Sequence, residues 1–77
     1  MKYIIFEDFA GEATPIIFPE RVSFLEMREQ IPYTKVLSAG IVSLDKGQIR
    51  CSGQSKELKM SASSNDSKTI AEYLNSQ

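Results

Sequence analysis

Residues 35–60 read KVLSAGIVSLDKGQIRCSGQSKELKM, and the fold turns on this stretch. Ile49, Cys51 and Gly53 alternate with Arg50, Ser52 and Gln54, and Leu58 and Met60 alternate with Glu57 and Lys59. A period of two sends successive side chains to opposite faces of a strand, one buried and one wet. Between the first two strands stands Asp45-Lys46-Gly47-Gln48, a tight turn with glycine where a positive φ is needed. The segment is therefore expected to form a hairpin with a third short strand, Glu57 to Met60, attached.

The first strand of that hairpin is less regular. Leu37, Ala39 and Ile41 share one parity, whereas Val42 and Leu44 take the other, and Gly40 lies at the change. A bulge at Gly40 and a strand covered on both faces each account for this pattern. The small size of the chain favours the bulge.

Toward the N-terminus, Tyr3–Phe6 and Pro15–Phe18 are two short β-rich runs about a glycine-containing loop, which reads as an antiparallel hairpin. Pro15 has no amide donor and belongs at a strand start or a sheet edge. From Ser23 the period changes to that of a helix, with Phe24, Met27, Arg28 and Ile31 on one face. Ser23 and Glu26 have capping-box spacing, Val22 is placed to pack on Met27, and Pro32 ends the helix. After the linker Ser61–Asn65, with Ser63 or Ser64 as cap, Ile70, Tyr73 and Leu74 mark the narrow apolar stripe of a terminal helix. The expected architecture is α+β in the order β-β-α-β-β-β-α. A small antiparallel or mixed sheet carries two short helices on one face and leaves the other face open.

Residues 1–77 make one domain, near the lower size limit for folding without disulfides or metal. Nine basic and ten acidic residues leave a net charge of −1, with no clustered basic stripe of the kind nucleic-acid binders carry. No apolar run approaches the ~20 residues that span a bilayer. A single cysteine rules out an intrachain disulfide and fits a reducing cytoplasm.

Histidine is absent, so zinc sites of the Cys/His type and Ser-His-Asp or Cys-His catalysis are excluded within the chain. Cys51 shares the parity of Ile49 and reads as a buried, inert thiol. Glu7, Asp8 and Glu12 lack calcium-loop spacing and read as a solvated hairpin loop. No phosphate-binding glycine pattern occurs. Tyr3 and Tyr33 lie near lysines, but the other aromatics sit in apolar runs, and the pattern of single-strand nucleic-acid binders is missing. No catalytic residue, cofactor or metal is expected. What remains is a polar strand surface, with Arg50, Ser52, Gln54 and Lys59 as candidate interface residues for a protein partner. Two alternatives stand beside this reading: a small nucleic-acid-binding module, and a homodimer formed by strand pairing at the edges Tyr3–Phe6 or Glu57–Met60.

Taken together, Pro15-Ile16-Ile17-Phe18-Pro19, Ser38-Ala39-Gly40-Ile41-Val42 and Gly53-Gln54-Ser55-Lys56-Glu57-Leu58 make a pattern. The chain resembles small uncharacterised proteins encoded in tailed phages and prophages. It departs from them before the last helix, where Ser64 stands in place of a proline. The resemblance implies a phage-borne accessory protein in the bacterial cytoplasm, acting on a host or phage protein and without catalytic residues. Inhibition of a host defence system is one form such action takes.

Overall fold

Tyr3, Ile4 and Ile5 are consecutive and all three are buried, which a strand achieves only when both faces of its sheet are covered. They belong to β1 (Lys2–Glu7) in a computed structural model that describes residues 1–32 and 34–76. The remaining elements are β2 (Ala13–Phe18), α1 (Phe24–Glu29), β3 (Lys35–Asp45), β4 (Gln48–Ser52), β5 (Gln54–Ser55), β6 (Met60–Ser61) and α2 (Asp66–Asn75). β1 to β4 form one antiparallel sheet in the order β2-β1-β3-β4, and β5 and β6 form a separate two-stranded hairpin. The fold is α+β, as the patterning predicts.

The period of two along β1 sorts the core into two layers. Tyr3 and Ile5 point toward α2, where they meet Val42 and the fully buried Ile70. Ile4 points the other way and meets Phe18, Ala39 and Phe24 of α1. The rings of Phe18 and Phe24 pack edge to face with centroids 5.6 Å apart. The two helices therefore cover opposite faces of the sheet, and not the single face expected. Each is too small to shield the sheet's apolar surface alone, and both faces of β1 and β2 are apolar.

Three further expectations are corrected. The irregularity in β3 lies at Leu37 and not at Gly40: Ile5 pairs with Ser38 while Phe6 pairs with Val36, so Leu37 is the extra residue. Beyond it the alternation is unbroken, and the Ser38-Ala39-Gly40 stretch is buried because both faces are covered. Gly40 is required by close approach, since a Cβ there would stand 2.5 Å from the Ser52 carbonyl oxygen. Glu57–Met60 is not a strand. Lys56 to Lys59 form a turn closed by the Lys59 amide donating to the Lys56 carbonyl (3.3 Å), with Lys59 at φ +55°. Leu58 and Met60 reach the α1-side core from this turn and from β6. Finally, Tyr3–Phe6 is no edge, because β1 is paired on both sides; the edges are β2, which carries Pro15, and β4.

The local signals act as the chemistry dictates. The Ser23 hydroxyl accepts from the Glu26 amide at 3.0 Å, and the Glu26 carboxylate accepts from the Ser23 amide at 3.3 Å. Val22 and Met27 both pack against the α1-side core. Asp45 pairs with Gln48 across Lys46 and Gly47, both with positive φ, as a two-residue turn of the twist-matched type requires.

Candidate functional site

The most concentrated polar chemistry lies inside the protein. Asp66, the first residue of α2, is buried and accepts three hydrogen bonds. The Tyr3 hydroxyl and the Ser63 amide (2.8 Å) donate to its Oδ2, and the Ser38 hydroxyl (2.8 Å) donates to its Oδ1. Ser63 and Asp66 have capping-box spacing, but only the return half of the box forms, and the Ser63 hydroxyl instead accepts from Asn65 at 3.4 Å. Neither Ser63 nor Ser64 caps the helix in the expected way; Asn65 holds the cap position without a side-chain bond.

Burial, reinforced by the hydrogen bond to Asp66 and its nearby charge, pushes the Tyr3 phenol far above its ordinary range. Burial likewise raises the Cys51 thiol, against a weaker lowering contact with the Tyr3 hydroxyl. Cys51 is half-buried beside the α2-side core, on the side its parity predicts. A protonated thiol is a weak nucleophile. Among the described residues every buried side-chain polar atom has a hydrogen-bond partner. The cluster therefore reads as a clamp holding β1, β3 and α2 together.

The sequence-derived candidates Arg50, Ser52, Gln54 and Lys59 are all exposed, but they do not share one strand face. Arg50 and Ser52 project from edge strand β4 on the side away from α2, with Arg50 Nε 3.3 Å from Asp45 Oδ2. Gly53, at φ +78°, turns the chain out of the main sheet, so Gln54 lies in the small hairpin and Lys59 in its turn. Tyr33, the other lysine-neighbouring aromatic, lies outside the described residues.

A different surface is apolar. Ile17, Val42, Leu44, Ile49, Ile70 and Leu74 line a groove of about 390 Å³ between the sheet and the C-terminal half of α2. Leu44 is 74% exposed and Leu74 is 48% exposed. The signal for it is present in the sequence, since Leu44 and Leu74 sit at inward positions of their periods. α2 leaves Leu44 largely uncovered.

At the opposite end, the loop between β1 and β2 carries Phe9, which is 90% exposed. The Asp8 carboxylate organises this loop, accepting from the Ala10 and Glu12 amides (both 2.9 Å) and from the Thr14 hydroxyl (3.2 Å). These bonds, the Glu12 amide first, hold the Asp8 carboxyl below its ordinary range. Glu7 and Glu12 are exposed beside it.

Comparison of the chain with protein-family models, curated proteins and solved structures finds no match. Among the described residues no helix is long and apolar enough to cross a membrane.

Proposed function

We propose that this chain is a non-enzymatic interaction protein that acts by occupying a surface of a protein partner. The observation that carries the proposal is the apolar groove with Leu44 and Leu74 at its rim, beside the edge strand β4. Large apolar side chains held at this exposure beside a concavity are what interface cores are made of. The resemblance of residues 15–19, 38–42 and 53–58 to phage and prophage proteins supports a phage-borne origin, action in the bacterial cytoplasm and a host or phage partner. Interference with a host defence system is one outcome of such occupancy.

The test is capture with the tagged chain in bacterial cells, followed by reconstitution of the captured pair from purified components. A partner retained by the wild type and lost with Leu44→Asp and with Leu74→Lys supports the groove. Loss with the Arg50→Glu/Lys59→Glu double variant instead moves the contact to the polar surface. A partner indifferent to all of these changes overturns both surfaces.

A further inference from the structure

Among the described residues, the two most exposed large apolar side chains, Phe9 and Leu44, belong to opposite ends of the main sheet. β1 and β3 run antiparallel, with Glu7 opposite Lys35 and Lys2 opposite Ile41. Phe9 therefore lies beyond the start of β3, and Leu44 lies near its finish, along a molecule 33 Å in its longest extent. One end presents a knob and the other a hollow.

Their chemistry is complementary. Phe9 stands on a loop already closed by the Asp8 carboxylate and by the Asp8 amide bonding to the Glu12 carbonyl at 2.9 Å. The ordering that an interface normally demands of a loop is thus in place before contact. An aromatic ring offers roughly 150–250 Å² for burial. The groove, at about 390 Å³, lies at the small end of ligand-sized cavities, suited to one side chain and not to a helix.

At the groove the Met1 ammonium is paired with Glu20 and Asp45 with Arg50, so among the described residues the charges left outside ion pairs differ in sign between the two features. Glu7 and Glu12 flank the knob and make no ion pair among the described residues, with Lys35 the only cation placed opposite them across the strands. Near the groove, Asp45 is engaged by Arg50, while Lys46 in the β3–β4 turn has no ion-pair partner among the described residues. Lys68 lines the hollow that continues from the groove past Ile49 and Leu74, at the 4.0 Å limit of pairing with Glu72.

We infer that the chain associates head to tail with further copies of itself, Phe9 of one copy seated in the Leu44/Leu74 groove of the next. This rests on the reading of that groove as a binding surface and names its occupant. Because knob and groove are different surfaces, the contact is heterologous. Each added copy leaves a knob and a groove unused, and growth continues until a ring closes.

Sedimentation velocity of the full chain from micromolar to millimolar concentration tests this. The weight-average mass is expected to rise past that of a dimer, and to rise less at high salt because the flanking charges are screened. Phe9→Ser and Leu74→Lys, both at exposed positions, are each expected to stay monomeric with unchanged circular dichroism. Mixed together, they should form a one-to-one complex and nothing larger, since one variant keeps the groove and the other the knob. A wild type that stays monomeric at millimolar concentration overturns the inference, and so does self-association that survives Phe9→Ser or is not restored by mixing. Capture of a different partner that still depends on Leu74 leaves the interaction role standing when self-association fails. Indifference of that partner to Leu74→Lys sinks the interaction role at the groove itself.

Discussion

The hydroxyl of Tyr3 donates a hydrogen bond to the carboxylate of Asp66 across 63 positions of sequence, inside the α2-side core. This bond joins the central strand to the first turn of the last helix. Asp66 also collects the Ser38 hydroxyl and the Ser63 amide, so one buried carboxylate ties three segments into a single unit.

Removing either partner leaves polar groups stranded in the interior. Tyr3→Phe is expected to lower stability by about 1–3 kcal/mol, and Asp66→Ala by about 3 kcal/mol or more because three donors lose their acceptor. Urea unfolding of the single and double variants should show a coupling energy of about 0.5–3 kcal/mol. Strict additivity would show that the bond contributes nothing.

The raised phenol of Tyr3 makes stability fall in alkali. Below about pH 10 the phenol is protonated in the folded and unfolded chain alike, and its contribution is fully present. As the pH climbs from there toward the raised folded value, the unfolded chain releases the proton first and gains on the folded one. Tyr3→Phe should flatten this alkaline loss. A slope in Tyr3→Phe equal to that of the wild type in pH-dependent denaturation would contradict the assignment.

Gly40 and Gly47 are glycines for different reasons, and alanine should separate them. At Gly40 a Cβ meets the Ser52 carbonyl oxygen at 2.5 Å and the Tyr3 hydroxyl at 3.2 Å, so the backbone itself must move. We expect Gly40→Ala to cost about 1–3 kcal/mol, as overpacking does. At Gly47 the space is open and only the left-handed φ of +79° resists, for about 1 kcal/mol. Thermal midpoints in the order wild type, Gly47→Ala, Gly40→Ala check this; the reverse order for the two variants would refute the steric account.

The Phe9 loop should soften in acid. Asp8 titrates below its ordinary value because the loop amides hold its charged form. Its hold is therefore present above about pH 4, the unfolded value, and is lost as the pH falls through the depressed folded value. Asp8→Ala should produce the same loosening at neutral pH. Hydrogen exchange at the Ala10 and Glu12 amides reads both effects, and unchanged protection in the variant would remove the carboxylate from the loop's support.

How much of this was legible in the residues depends on the range over which each feature is decided. Ser23 and Glu26 cap α1 because they are three residues apart. The turn at Asp45–Gln48 forms because Gly47 accepts a conformation that other residues resist. Ile49 and Cys51 face α2 together because strand parity is local. Leu58 and Met60 have the same spacing and mislead, since a turn through Lys59 can deliver two apolar side chains to a core as well as a strand can. The surfaces are harder. Arg50 and Lys59 look like one polar face in sequence, but Gly53 parts them, leaving Arg50 in the main sheet and Lys59 in the turn of the small hairpin.

The amino-acid sequence by itself determined the class of the fold, the capped first helix, the tight β3–β4 turn and the edge position of Pro15. Each follows from the conformational and hydrogen-bonding preferences of residues within a few positions of one another. Only the tertiary structure decided that the helices cover opposite faces, that Asp66 is an interior clamp, and that Phe9 and the Leu44/Leu74 groove stand at opposite ends. Periodicity tells which side chains point the same way, but not which element will meet them. Contacts between residues tens of positions apart are chosen by how the whole chain buries its apolar surface.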